Sequence, residues 1–181
     1  MGATTTRLTF EEFERLPEQP GKRELLKGEL IEVPPPELKH DRIVRRIFLR
    51  LHVTVEEAHE RGEARDLGEV CVETGYRLPD NGWVIPDVSV THAGQPEGKY
   101  LEDSPAIAIE KVSPSNTAED LAVKTALYFQ FGAREVWRIY QKTRQVEVHV
   151  PGGSRVVSAD QAVTTPLLPG FSLRVAEILG E

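Results

Sequence analysis

The segment from Ala106 to Val112, with the sequence AIAIEKV, constrains the fold most, because it is the most apolar strand-like run in the chain. Such a run is typical of a central strand that is buried on both faces of a sheet. A carboxylate in that place is costly unless it is paired or bound to a metal. Glu110, near the end of the run, therefore either reaches solvent, pairs with an arginine or belongs to a site. Ligands of open α/β sheets gather at strand ends, which favours the site.

Helical and strand-like patterns alternate on both sides of this run. A capping box of Thr9 and Glu12 predicts a short helix through Leu16, and apolar periodicity predicts a long helix from about Leu38 to His59. The other predicted elements are a hairpin over Arg23–Val33 that turns at Lys27-Gly28, strands over 70–78 and 83–91, a helix from a capping box of Asn116 and Glu119 to about Phe131, a hairpin of 135–140 with 146–150, a weak strand near Arg155 and a short terminal helix. We predict an α/β class domain in which helices flank a central mixed β-sheet. We expect a single domain over residues 1–181, with 1–20 as an N-terminal helical extension.

Composition narrows the function classes. No apolar run approaches the length of about 20 residues that a membrane span needs, so we expect no membrane association. The only cysteine, Cys71, has no partner within the chain for a disulfide, and no secretory signal precedes residue 10, which favours a cytoplasmic protein. The formal net charge of −7 argues mildly against sequence-independent binding of nucleic acid, because such proteins usually present a basic face.

A second acid interrupts another apolar run. Asp87 follows Pro86 within the sequence WVIPDVSV, which we predict to be one strand. The structural alternative is a turn or bulge at the start of a strand, where aspartate is common.

A lysine on a predicted helix faces the same region. Lys124 shares one arc of that helix with Leu121, Leu127, Tyr128 and Phe131, so it should point toward the sheet. The alternative is a lysine whose aliphatic stem covers the core while its charge reaches water.

Two acids and an inward lysine are the groups that metal-assisted hydrolysis of phosphodiesters needs. Mg²⁺ takes oxygen ligands, usually one or two carboxylates with waters and substrate phosphate. It lowers the pKa of bound water, and a nearby ammonium group stabilises the charge that develops on phosphorus. Each residue is weak evidence alone, but the three together predict such a site.

This order of residues is similar to the PD-(D/E)XK nuclease signature, and the chain resembles the restriction-endonuclease family called Uma-two from about Glu24 to Phe171. The resemblance is carried by ELLKGEL at 24–30, Pro34-Pro35-Pro36, His40, PDVSV at 86–90, IEKVSPS at 109–115, Asp120-Leu121, Lys124, Tyr128, Gly132, Glu135 and Trp137. It implies a restriction-endonuclease-like fold and Mg²⁺-dependent cleavage of nucleic acid, with Mn²⁺ as a substitute for Mg²⁺.

The resemblance also implies roles for individual residues. Asp87 and Glu110 would bind the metal, helped by the backbone carbonyl of Lys111. The position two after Glu110 is Val112 rather than lysine, which departs from the simple signature. Lys111 is one place out of register and should leave the opposite face of the strand, so we predict that Lys124 supplies the catalytic ammonium.

Three further residues are second-rank catalytic candidates. Glu29 follows the hairpin glycine, and its alternative role is an exposed strand acid. His40 falls on the apolar arc of its helix, where a core or capping histidine is the alternative. Tyr128 lies one turn after Lys124 and is either a packing aromatic or a hydroxyl that reaches phosphate.

Two functions remain open on the sequence. The first is a Mg²⁺-dependent endonuclease that cleaves nucleic acid, with DNA as the expected substrate; a homodimer is expected for this function and for the second alike. The second is a nuclease-fold binding or assembly module without turnover, which the acidic net charge favours. Four arginines on the outer face of the long helix, at 42, 45, 46 and 50, form either a solvated face or a stripe that contacts phosphate. No phosphate-binding glycine loop and no zinc-ligand spacing point to other hydrolases.

Overall fold

The computed structural model describes residues 7–114 and 116–181. Its helices are α1 (Phe10–Glu14), α2 (Leu38–Glu60), α3 (Ala118–Gln130) and α4 (Val175–Leu179). Its strands are β1 (Lys22–Leu26), β2 (Glu29–Val33), β3 (Leu67–Val72), β4 (Tyr76–Leu78), β5 (Gly82–Val84), β6 (Val88–His92), β7 (Leu101–Glu102), β8 (Ile107–Lys111), β9 (Glu135–Tyr140), β10 (Gln145–Val150), β11 (Gly153–Ser158), β12 (Ala162–Thr164) and β13 (Ser172–Arg174). No helix in the described ranges has the length and apolar character to cross a bilayer.

The central sheet has six strands in the order β11-β10-β9-β8-β6-β3. The β8–β9 pair is parallel and the other pairs are antiparallel, so the sheet is mixed. The apolar run that contains Glu110 forms β8 in its interior. The predicted α/β class with a central mixed sheet is therefore confirmed.

The two faces of this sheet are covered by different elements. On one face, α2 and α4 pack against Ile107 and Ile109 of β8 within one apolar cluster. On the other face, α3 and a second sheet, in the order β2-β1-β5-β4-β7, enclose Ala108 and Tyr128. Because side chains alternate along a strand, Glu110 lies on the same face as Ala108.

Two predicted strands are each divided between the two sheets. The prediction of one strand over 70–78 is wrong, since β3 ends at Val72 in the six-stranded sheet and β4 begins at Tyr76 in the five-stranded one. The prediction of one strand over 83–91 is also wrong, since β5 and β6 belong to different sheets. Proline donates no ladder hydrogen bond, which explains why the second break falls at Pro86. Asp87 accordingly stands at a junction between sheets and not in the middle of a strand.

The predicted ends of the other elements are close to those observed. The capping box of Thr9 and Glu12 begins α1 as predicted. The predicted box of Asn116 and Glu119 is one residue too early, because Thr117 caps α3 together with Asp120. The sequence patterns did not identify the short strands β7, β12 and β13.

Candidate active site

A cleft of about 870 Å³ lies where the two sheets meet the beginning of α2. Residues from β1, from the segment between β2 and α2, from the junction at Asp87, from the end of β8, from α3 and from the turn between β9 and β10 form its wall. The residues predicted to be functional line this cleft, with two exceptions. Tyr128 lies outside the lining and donates a hydrogen bond to the lining residue Glu110, and Glu29 lies outside the cleft.

Asp87 is buried at the base of the cleft and binds polar groups through both carboxylate oxygens. Its Oδ1 lies 2.7 Å from Nζ of Lys22 and 3.2 Å from Nε2 of His40. Its Oδ2 accepts a hydrogen bond of 2.8 Å from the backbone N–H of Lys111. Burial alone would raise the pKa of Asp87, but the neighbouring His40 imidazole and Lys22 ammonium hold it well below its usual range. Asp87 is therefore a stable anion.

Glu110 lies next to Asp87 across the β6–β8 pair. The antiparallel register pairs Val88 with Ile109, so the next position outward places Asp87 opposite Glu110. Oε1 of Glu110 accepts a hydrogen bond of 2.7 Å from the Tyr128 hydroxyl and lies 2.8 Å from Nζ of Lys124. Burial raises the pKa of Glu110 to about 7, although the Lys124 charge opposes this rise.

Lys124 points into the protein, as the pattern of α3 predicted, and its ammonium group lies between two carboxylates. Nζ is 2.8 Å from Oε1 of Glu110 and 2.7 Å from Oε1 of Glu24 on β1. Burial acts to lower the pKa of Lys124, but the two carboxylates outweigh burial and raise it. Glu24 also accepts a hydrogen bond of 2.7 Å from the backbone N–H of Ile85, which ties β1 to the junction before Asp87.

Asp87 also belongs to a second group of ligand-type atoms, which does not include Glu110. His40, Glu73 and Asp87 each present one nitrogen or oxygen, and these atoms lie within 4.8 Å of one another. Nε2 of His40 is buried and, within the described ranges, makes no hydrogen bond of regular geometry. Lys22 already lies in this group, because its Nζ is 3.0 Å from Glu73 and 2.7 Å from Asp87. The ligand atoms of His40, Glu73 and Asp87 therefore suit a cation. In the protein alone, the ammonium group of Lys22 supplies this positive charge.

The structure brings together most of the predicted site residues. Asp87, Glu110 and Lys124 lie at the cleft, His40 is beside Asp87, and Tyr128 binds Glu110. The predicted metal ligand Lys111 also lines the cleft, where its backbone amide binds Asp87. Glu29 lies elsewhere: it is exposed beside the hairpin turn, opposite Leu26.

Three residues at the site were missed by the sequence analysis: Lys22, Glu24 and Glu73. Glu24 directly precedes two buried leucines in the hairpin, and that acid beside an apolar pair was the available signal. Lys22 lies two residues earlier on β1 and so on the same face of the strand. Glu73 follows the end of β3 and carried no sequence signal.

Comparisons with known proteins identify the family and the fold. The model of the Uma2 family, described as "Putative restriction endonuclease", matches residues 10–176. The crystal structure of a "putative nuclease belonging to DUF820" from Anabaena variabilis ATCC 29413 superposes with a TM-score of 0.80 at 21% sequence identity, over 95% of this chain and 97% of that chain. No curated protein matches the sequence. The fold is thus that of a nuclease-like domain, and the chain belongs to the Uma2 (Uma-two) family of restriction-endonuclease-like proteins.

Proposed function

We propose that the cleft is the active site of a metal-dependent endonuclease that hydrolyses phosphodiester bonds of DNA. The observation that carries this proposal is the buried Lys124 ammonium, which lies between Glu24 and Glu110 in the cleft that also contains Asp87. Membership of the Uma2 family supports the reaction class, and the metal and the substrate are inferred from the residues.

The charge of the cleft wall supports a phosphate-containing substrate. The chain has a net charge of −7, but five of its seven lysines line the cleft: Lys22, Lys39, Lys111, Lys124 and Lys142. Four acids line it as well, namely Glu24, Glu37, Asp87 and Glu110, so the wall of the cleft is not acidic although the whole chain is. The net charge therefore does not argue against nucleic acid at this site.

The carboxylates fit Mg²⁺, for which Mn²⁺ can substitute. Asp87, directly before β6, lies opposite Glu110 of β8, and the described contacts of Glu110 all use Oε1. These two acids, with the backbone carbonyl of Lys111, would hold the metal, since hard cations prefer oxygen ligands. When bound, the metal supplies a water of lowered pKa and neutralises charge on the phosphate.

The remaining residues position charge around the reacting phosphate. Lys124 remains protonated between its two carboxylates, so its ammonium would stabilise negative charge and orient the attacking water. Glu24 fixes the ammonium from the opposite side, and Tyr128 fixes Glu110 by a hydrogen bond. His40 would orient Asp87 through Nε2, which lies 3.2 Å from Oδ1 of that residue, or accept a proton at the same nitrogen.

A cleavage assay tests this function. Plasmid and linear DNA are incubated with Mg²⁺ or Mn²⁺, and wild type is compared with Asp87→Asn, which keeps the shape of the side chain. We expect cleavage by wild type, inhibition by a chelator and a loss of at least about a hundredfold in the variant. Asp160→Asn, at an exposed turn, is the matched control and should cleave as wild type. Equal cleavage by both aspartate variants would contradict the proposal.

One observation favours the alternative, a binding or assembly module without turnover. The Lys22 ammonium already neutralises Asp87 at 2.7 Å, as a resident substitute for a metal would. On that alternative, calorimetry with Mn²⁺ would show no binding to wild type. On the proposed function, Mn²⁺ binds wild type and fails to bind Asp87→Asn. A homodimer fits both functions, since symmetric dimers are the commonest oligomers.

A further inference from the structure

The long helix α2 presents an apolar centre to solvent. The helix has 23 residues, and its inner face contributes Ile47, Leu51 and other residues to the core. On its outer face, the side chains of Leu49 and Val53 are 53% and 48% exposed. Two neighbouring exposed aliphatic residues at the middle of a surface helix favour a contact with another surface.

Charged residues flank this apolar centre, with opposite signs at its two sides. At 100° per residue, seven exposed residues fall within an arc of about 80°. In chain order they are Leu38, Arg42, Arg45, Leu49, Val53, Glu56 and Glu60. We refer to these seven residues as the outer α2 face. Its N-terminal half is basic and its C-terminal half is acidic.

The charges on this face have no partner within the described chain. Arg42, Arg45, Glu56 and Glu60 take part in none of the ion pairs or side-chain hydrogen bonds of residues 7–114 and 116–181. In contrast, Arg46 and Arg50, next to the face, donate to the backbone oxygens of Ile178 and Ser172.

This arrangement of charge is unfavourable for an isolated helix. Glu60, in the last turn of α2, opposes the helix dipole, whose negative end lies there. Arg42 and Arg45 repel each other at a spacing of three residues, and Glu56 and Glu60 do so at a spacing of four. Arg45 and Glu56 are eleven residues apart, about 16 Å along the helix, so they do not neutralise each other within one chain.

We infer that the outer α2 face binds the same face of a second copy of this chain, with the two helices antiparallel about a two-fold axis. In this arrangement, each residue of one copy faces a residue of the second copy, and the two residue numbers add up to 101 or 102. Arg42 then faces Glu60, Arg45 faces Glu56 and Leu49 faces Val53 of the second copy. Every unpartnered charge meets its opposite, and Leu49 and Val53 meet at the axis, whereas Leu38 lies outside the paired residues. Such a face is self-complementary, as a two-fold interface requires.

This inference does not depend on the proposed function. The interface exists whether or not the cleft hydrolyses DNA, because none of its residues from 42 to 60 lines the cleft. The oligomeric state is therefore measured without reference to activity.

The test uses charge reversal and its rescue, followed by sedimentation velocity over a concentration series of the full chain. Arg45→Glu and Glu56→Arg should each raise the dimer dissociation constant by at least about tenfold, since each places like charges together twice in the symmetric pair. The double variant, Arg45→Glu with Glu56→Arg, should restore the dimer. A parallel pair of helices would not be rescued, because each position would then face itself.

Two further variants complete the test. Leu49→Lys places a charge at the apolar centre and should abolish the dimer. Lys27→Glu, at an exposed hairpin turn, changes net charge as Arg45→Glu does and should leave the dimer unchanged. Circular dichroism establishes that each variant is folded.

Other outcomes overturn the inference. The inference is wrong if the wild-type chain sediments as a monomer at all concentrations. It is also wrong if the wild-type chain is a dimer and Arg45→Glu leaves that dimer intact. If Arg45→Glu instead weakens binding of duplex DNA, and the double variant does not restore it, the arginines contact phosphate rather than a second copy.

Discussion

The two faces of strand β8 differ in how they are stabilised. Ile107 and Ile109 lie in a cluster of aliphatic and aromatic side chains beneath α2, while Glu110 on the opposite face lies among charged groups beside α3. The aliphatic face is stabilised by burial and packing, so its residues tolerate replacement by others of similar volume. The charged face is stable only when every charge has its partner. We expect single substitutions on the two faces to differ in magnitude and in their effect on function.

The largest expected effect follows from removing the shared cation. Lys124→Met leaves Glu24 and Glu110 buried without their common partner, which should lower the free energy of unfolding by about 3–5 kcal/mol and abolish cleavage. Urea denaturation measures the first quantity. Lys27→Met, which removes an exposed lysine, is the control and should change stability by less than about 0.5 kcal/mol. A loss below about 1 kcal/mol for Lys124→Met would mean that the cluster is not energetically coupled.

A smaller effect is expected at Glu24 of the hairpin. Glu24→Gln keeps an acceptor for the Ile85 amide but removes the charge beside Lys124, so we expect a stability loss of about 1–3 kcal/mol and slower cleavage. Glu29→Gln is the matched variant on the neighbouring strand. It is exposed and outside the cleft, and it should behave as wild type within about 0.5 kcal/mol. If cleavage responds to Glu29 and not to Glu24, the proposed arrangement of the site is wrong.

On the aliphatic face, Ile109→Val should have a modest effect on stability and none on function. Removing one buried methylene group costs about 0.5–1.5 kcal/mol. Since Ile109 points away from Glu110, metal binding and cleavage should be unchanged at a temperature where the variant is folded. A loss of metal affinity in Ile109→Val, measured by calorimetry, would indicate that the two faces are coupled through the strand.

The smallest effect is expected at Lys22. Its ammonium competes with an added cation for Oδ1 of Asp87, so Lys22→Met should lower the dissociation constant for Mn²⁺ severalfold. Calorimetry at constant ionic strength measures this change. Lys142→Met, which removes a lysine from the cleft wall without a described contact to Asp87, is the control and should change Mn²⁺ affinity less. Weaker binding in Lys22→Met would mean that Lys22 positions Asp87 instead of competing with the metal.

Local patterns in the sequence predicted the parts of the site that lie within one element. The arc that contains Lys124 and Tyr128 predicted the inward face of α3, and the apolar run over 106–112 predicted the interior strand that carries Glu110. Lys22 and Glu24 could not be assigned in this way, because their partners Asp87 and Lys124 are distant in sequence. The pairing depends on how the hairpin docks, which no local period encodes.

The predicted strand over 83–91 failed for a related reason. Most of its residues are apolar on both sides of Asp87, and that pattern does not reveal that the chain passes from one sheet to the other. Pro86 was the only mark of the change, and it was read together with Asp87 as part of a motif. The prediction of Glu29 as a catalytic candidate had the same origin, since Glu24 and Glu29 lie in one hairpin and the tertiary contact with Lys124 distinguishes them.

The ion pairs of the cleft also hold the β1–β2 hairpin against the rest of the protein. β1 pairs with β5 at one position, Leu25 opposite Trp83, so its backbone ladder to the rest of the sheet is short. The same strand is held by two ion pairs, one between Lys22 and Asp87 and one between Glu24 and Lys124. Opening of this hairpin, a local event that costs less than global unfolding, would withdraw both residues at once. The rate of amide hydrogen exchange in β1 therefore measures the fraction of molecules in which the hairpin is open and the site is not assembled. This measurement needs no substrate.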